Sequence, residues 1–289
     1  MRHEKFKPSR LNFKELDRDI RHLQVEDLYN FSVQELKSLF FPIIKKLKGL
    51  HYKIKPLCLY RGRLNEGFDS FENAEDLWYP PSENVKSIGR CNDIQESMFY
   101  GTCKPETTIF ELKFRVRDIL TLMSAENGES DFNMFAIGVS HPQKANPQFK
   151  VNVLNGSTPY QEEDVRSIDA FLHKIFIKTV NGDDQAHYKI TTAITQLLLE
   201  DPNVDGLTFG SAAHKSEGVN FVLKPSAADR HLRPGKAFEV QIIDELPDNE
   251  YRCKIIRISS TINENGKFIW EDPSGKISVV QQIPPLFLI

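Results

Sequence analysis

Five short groups of residues carry side chains that could do chemistry, the arginines among them suited to an anion. Tyr60-Arg61-Gly62-Arg63 puts two guanidinium groups at the end of a predicted strand, where a planar fork of donors can grip two oxygens of one phosphate. Gly89-Arg90-Cys91-Asn92 offers a third arginine, and Phe99-Tyr100 a phenol. Glu111 follows eleven residues after Tyr100. Ser211, after Phe209-Gly210, lies shortly before Gly218-Val219-Asn220. Singly, each group admits a plainer reading. Arg-x-Arg suits a surface ion pair, and Tyr100 a core or edge aromatic. Alternation with Phe110 and Leu112 can turn Glu111 to solvent, and Ser211 beside Gly210 can be a turn. His214, three residues beyond Ser211, suggests a nucleophile–base pair, but no acid partner for it is legible.

Several familiar chemistries are missing. No G-x-G-x-x-G follows a strand and no G-x-x-x-x-G-K-[ST] occurs, which disfavours a Rossmann or P-loop nucleotide site. The eight histidines form no H-E-x-x-H and no zinc-spaced group with cysteine, so no metal site is expected. No G-x-S-x-G elbow is present. Asn155-Gly156-Ser157 fits a glycosylation sequon but reads more simply as a turn.

The elements that must position these residues are legible in part. Ser32 and Glu35 form a capping box ahead of Leu36, Leu39, Phe40, Ile43, Ile44 and Leu47, an apolar stripe of helical period that Pro42 should kink or cut short. From Pro56 onward, β-like runs are predicted at 57–60, 98–102, 109–116, 132–139 and 149–154. Pro105-Glu106-Thr107-Thr108 can start a helical turn between Tyr100 and Glu111. A capping box at Thr158–Gln161 leads to a helix with Val165, Ile168, Phe171, Leu172 and Ile175 inward. A second helix, from about Gln185, buries Ile190, Ala193, Ile194, Leu197 and Leu198. Strands resume at 207–209, 219–223 and 237–243, and 251–262 with 267–271 form a β-meander around Asn263–Gly266. Strands clustered about a helical middle give an α+β fold.

The 289 residues are 40% hydrophobic and 27% charged, enough apolar matter for a core without disulfide or metal staples. A formal charge of -3 argues against a general nucleic-acid binder, and no apolar run approaches the ~20 residues of a spanning helix. Met1–Lys5 lacks the apolar stretch of a secretory signal, and the four cysteines include no C-x-x-C. The expectation is a reduced, cytoplasmic protein that does not engage a membrane or bind nucleic acid directly. Residues 1–55 are basic, with 13 Lys/Arg against 7 Asp/Glu, and read as a helical N-terminal extension.

Taken in order, Tyr60-Arg61-Gly62-Arg63, Tyr79-Pro80-Pro81, Gly89-Arg90-Cys91-Asn92, Phe99-Tyr100, Thr107–Glu111 and Ser211 with Asn220 resemble the RES domain family, named for its arginine, glutamate and serine. The resemblance covers about 56–245. It departs from the family at Cys91, where many members carry tryptophan or alanine, and in a long insert over 124–148. It implies a division into an N-terminal extension (1–55), an NAD-binding catalytic domain (56–245) and a C-terminal β-meander packed on it (246–289). The implied core is an ADP-ribosyltransferase-like split β-sheet with flanking helices. The implied activity is destruction of NAD by phosphorolysis or hydrolysis of the nicotinamide–ribose bond, as in toxins of toxin–antitoxin or defence systems. No cofactor is implied beyond NAD as substrate, with inorganic phosphate as an optional co-substrate. A neighbouring antitoxin is an implied partner, and the oligomeric state is open. In that scheme Glu111 stabilises the oxocarbenium-like ribose, and Arg61, backed by Arg63 or Arg90, pairs with pyrophosphate or phosphate. Tyr100 or Tyr60 faces the nicotinamide, Ser211 bonds the carboxamide or ribose, Asn220 orients the Ser211 loop, and Asn92 completes the pocket. Two other readings stand beside it: a mono-ADP-ribosyltransferase whose acceptor docks on residues 1–55, and a non-catalytic NAD or ADP-ribose sensor.

Overall fold

The computed structural model describes residues 28–47, 51–55, 58–65, 70–128, 130–138, 151–153, 163–180, 185–213, 218–246 and 250–273. His214, the capping box at 158–161, the end of the meander and most of the basic extension lie outside them. The described chain is mixed α+β. In order it forms α1 (Val33–Ile44), β1 (Tyr52–Ile54), β2 (Cys58–Leu64), β3 (Phe99–Thr102), α2 (Pro105–Glu111), β4 (Ile119–Asn127), β5 (Phe132–Ile137) and β6 (Val151–Val153). These are followed by α3 (Glu163–Phe176), α4 (Ala186–Leu199), β7 (Gly206–Gly210), β8 (Val219–Leu223), α5 (Pro225–His231), β9 (Leu232–Leu246) and β10 (Glu250–Ser259).

The strands form one ten-stranded sheet in the order β10-β9-β4-β2-β3-β8-β7-β5-β1-β6. β5 and β7 run parallel, and the other neighbours antiparallel. At its centre the sheet opens. β2 and β3 are joined at a single pair, Tyr60 with Thr102, whereas β2 pairs β4 along its whole length.

Side-chain alternation decides what covers each face. Phe135, Ile137, Leu207, Phe209 and Val222 point to one face, where the predicted stripes of α1, α3 and α4 bury against them. Farther along that face, Ile109 of α2 packs on Leu120, Leu122, Val240 and Ile255. The opposite face carries Leu59, Phe99, Ala125, Phe132, Met134 and Phe221, covered by Ala227 and Ala228 of α5. The Ser32–Glu35 capping box forms, with Glu35 Oε2 accepting from Ser32 N at 2.8 Å. Pro42 leaves α1 only two further residues before a 3-10 turn over Lys45–Leu47.

Three strand assignments need correction, the first being β1, which lies within the expected helical extension (1–55) yet pairs between β5 and β6 in the sheet. The predicted strand at 109–116 is instead the end of α2 and a turn, because Pro105 at the first helical position presets the helix. Thr108 Oγ1 then ties that helix to the Tyr60 carbonyl at 3.2 Å. The central strand β4 has no predicted counterpart. Its residues 120–125 are all buried, so it lacks the polar alternation of a half-exposed strand. At the C-terminal end the expected turn is present, with Gly266 at φ +79°, but 262–271 pairs through isolated bridges rather than a continuous strand.

Candidate active site

Where β2 and β3 part, a cavity of about 390 Å3 lies between the end of α2 and the start of α4. That volume lies in the range of about 300–1,000 Å3 usual for small-molecule sites. Tyr60, Arg61, Arg90, Tyr100, Glu111 and Asn220 all line it.

Glu111 is the last residue of α2, where a carboxylate opposes the helix dipole. Its negative charge is met from outside the helix. Ser211 Oγ donates to Glu111 Oε1 at 2.6 Å, and Asn220 Nδ2 donates to the same oxygen at 2.8 Å. Ser211 is fully buried just after β7, and Asn220 projects from β8 opposite Phe209 and Thr102. Among the described residues no donor reaches Oε2. Gly218 makes this junction close-fitting, since a Cβ there would stand 2.3 Å from Thr107 Oγ1 on α2. The helix ends at Leu112, and Lys113 adopts a left-handed φ of +49°.

Arg61 fills the fork between the diverging strands. Its Nε donates to the Trp78 carbonyl at 3.1 Å and its Nη1 to the Tyr100 carbonyl at 3.0 Å, while the guanidinium lies 5.6 Å from the Phe99 ring centroid. Burial, and then the neighbouring Arg63, lower its pKa to about 10, so it remains charged at neutral pH. Arg90 donates to the Phe176 and Lys178 carbonyls at 2.6 and 3.1 Å, satisfying the C-terminal end of α3. Its guanidinium is 5.4 Å from the ring centroid of Tyr188, another lining residue.

The phenol of Tyr100 is committed. It donates to Asn92 Oδ1 at 2.8 Å and accepts from Cys91 N at 2.9 Å. Desolvation raises its pKa well above the ordinary value, so it stays protonated. The loop it holds is tied to α4 as well, since Thr192 Oγ1 donates to the Gly89 carbonyl at 3.0 Å.

Arg61, Arg90, Tyr60, Tyr100, Glu111 and Asn220 thus share one cavity, and Ser211 reaches it through Glu111. Asn92 does not line it; its amide oxygen supports the Tyr100 hydroxyl. Arg63 is also outside the lining; burial lowers its pKa, and Asp76 acts in the other direction. Asn220 acts on the carboxylate and not on the serine loop as expected. Sequence reasoning missed several lining residues, among them Thr179, Lys113 and Tyr188. Lys113 had only its closeness to Glu111, and Tyr188 only its position off the apolar stripe of α4. Among the described residues the charged lining is Arg61, Arg90 and Lys113 against Glu111, three cations to one anion. The cavity can therefore take a polyanion and still place one carboxylate beside it. Among the described residues no group of three or more His, Cys, Asp or Glu could hold a metal ion, and no helix is long and apolar enough to cross a membrane. Neither a protein-family model nor a curated protein matches the chain.

Proposed function

We propose that the protein is an NAD-degrading enzyme of RES type, built on an ADP-ribosyltransferase-like sheet, that cleaves the nicotinamide–ribose bond. The observation that carries this reading is the placement of Glu111: one carboxylate oxygen anchored by Ser211 and Asn220, in a cavity whose other charged lining residues, among those described, are three cations. Nicotinamide leaves as a neutral pyridine, taking the electron pair of the broken C–N bond, so no strong general acid is required. The difficulty lies in the cationic ribose, which a fixed carboxylate stabilises electrostatically or by holding its hydroxyls. Arg61, Arg90 and Lys113 suit the pyrophosphate, and Tyr188 supplies a flat face for a ring. Water or phosphate then bonds to the anomeric carbon, giving ADP-ribose or ADP-ribose 1″-phosphate. The setting proposed with this activity is a cytoplasmic toxin held in check by an antitoxin.

The test is a time course of NAD with purified protein, with and without phosphate. Loss of NAD is expected, and ADP-ribose 1″-phosphate appearing only with phosphate identifies phosphorolysis. NAD unchanged over hours overturns the reading, and label transferred from NAD to a macromolecule replaces it with ADP-ribosyl transfer. Glu111→Gln keeps the shape but removes the charge, and is expected to lower kcat by about 10²–10³-fold with the fold intact.

A further inference from the structure

A second cavity, also of about 390 Å3, lies on the other side of α2. Ile109 forms part of its wall, and Leu122, Phe238, Val240 and Ile255 of β4, β9 and β10 give it an apolar body. One end is polar. Ser124 is 4% exposed and lines the cavity, and among the described residues its buried hydroxyl oxygen has no hydrogen-bond partner. An unmet buried hydroxyl is destabilising, so its persistence at the wall of a cavity marks a place for a ligand group.

The backbone around Ser124 is also shaped for access. β4 and β9 change register here: Met123 faces Ala237 and Ala125 faces Pro234, so Gly235 and Lys236 together stand opposite Ser124. Such a bulge re-aims side chains and is common beside functional sites. A Cβ at Gly235 would come within 2.5 Å of Ser124 Oγ and 2.6 Å of Glu126 Oε1, so only glycine lets these two side chains pack against β9 here. Cys58 completes the lining, with its thiol pushed up to about 11 by burial.

From this geometry we infer a second small-molecule site, for an amphiphile with an apolar body and one hydrogen-bonding head directed at Ser124, between the lining side chains of Glu126 and Lys236. Tyr60 lines both cavities, but the inference uses no residue role from the NAD reading and holds whether or not that reading does.

The test uses the full chain and N-phenyl-1-naphthylamine, an apolar dye with a single N–H donor. Its fluorescence should rise to saturation with one site per chain, and bound dye should protect Cys58 from N-ethylmaleimide at pH 9, read by peptide mass spectrometry. Ser124→Leu and Ile255→Trp, which fill the polar and apolar ends, should each weaken binding at least tenfold while melting cooperatively. Tyr188→Ala, in the first cavity, should leave binding unchanged. Absence of saturable binding, unaltered Cys58 alkylation, or binding lost in Tyr188→Ala but kept in the filled variants overturns the site. Should the filled variants fail to fold, Cys58 protection in the unaltered chain decides the matter alone.

Discussion

The Arg61 guanidinium and the Tyr100 carbonyl meet at 3.0 Å across the gap that opens once β2 and β3 cease to pair. The same guanidinium holds the Trp78 carbonyl, so one planar group bridges a strand and a loop that share no ladder. Arg61→Lys keeps the charge but loses the fork. A single ammonium leaves one of the two carbonyls unmet, and urea denaturation is expected to show a loss of about 1–3 kcal/mol. NAD cleavage should fall at least as steeply as for a conservative change elsewhere in the cavity, and a fully stable, fully active lysine variant would contradict the bridging role.

Ser211→Ala and Asn220→Ala each remove one donor to the Glu111 carboxylate. A hydrogen bond to a charged group contributes about 1.5–3 kcal/mol, so each variant should lose roughly 10- to 100-fold in kcat with little change in thermal midpoint. Because both donors serve the same oxygen, the double variant should lose less than the product of the single effects. Strict additivity in a double-mutant cycle would mean the two act independently.

Asp229 braces the Tyr79-Pro80-Pro81 segment near the cavity. Its two oxygens accept from Trp78 Nε1 at 3.1 Å and Tyr79 Oη at 2.6 Å, and the second bond raises the Tyr79 pKa to about 12. This raised value favours the folded state fully below about pH 10, the ordinary tyrosine value, and the contribution disappears as pH rises through about 12. Asp229→Ala should return one tyrosine to ordinary ionisation in an ultraviolet titration and loosen the Trp78 carbonyl from Arg61. A tyrosine still titrating near 12 would point to another cause.

Asp169 supplies a pH dependence of stability unconnected with the cavity. It accepts from Gly138 N at 2.7 Å, yet burial dominates and raises its pKa to about 6, with Gly138 and His173 acting in the other direction. The folded state therefore binds this proton more tightly than the unfolded chain. Its contribution is full below about pH 4 and is lost as pH rises through about 6. Asp169→Asn should gain on the parent protein between those values, with a constant difference above pH 7. Parallel stability curves across that range would overturn the assignment.

Much of this arrangement was legible because it rests on local rules. The apolar stripes of α1, α3 and α4 have a helical period, and each packs as that period requires. Strand β8 spans the predicted 219–223, bounded by Gly218 and Pro225. What escaped depends on the sheet as a whole. β4 is buried on both faces and shows no alternation, and Glu111 looked like a strand residue because Phe110 and Leu112 flank it. Likewise, nothing in the short segments around Asn92 shows that its amide supports a phenol while Asn220, of the same residue type, holds the carboxylate.

The carboxylate of Glu111 is held by residues 100 and 109 positions later in the chain. During synthesis the acid emerges long before its anchors, so a growing polypeptide that stops short of β8 has no assembled centre. Whatever chemistry this carboxylate serves is thereby withheld until β8 has left the ribosome and folded against α2.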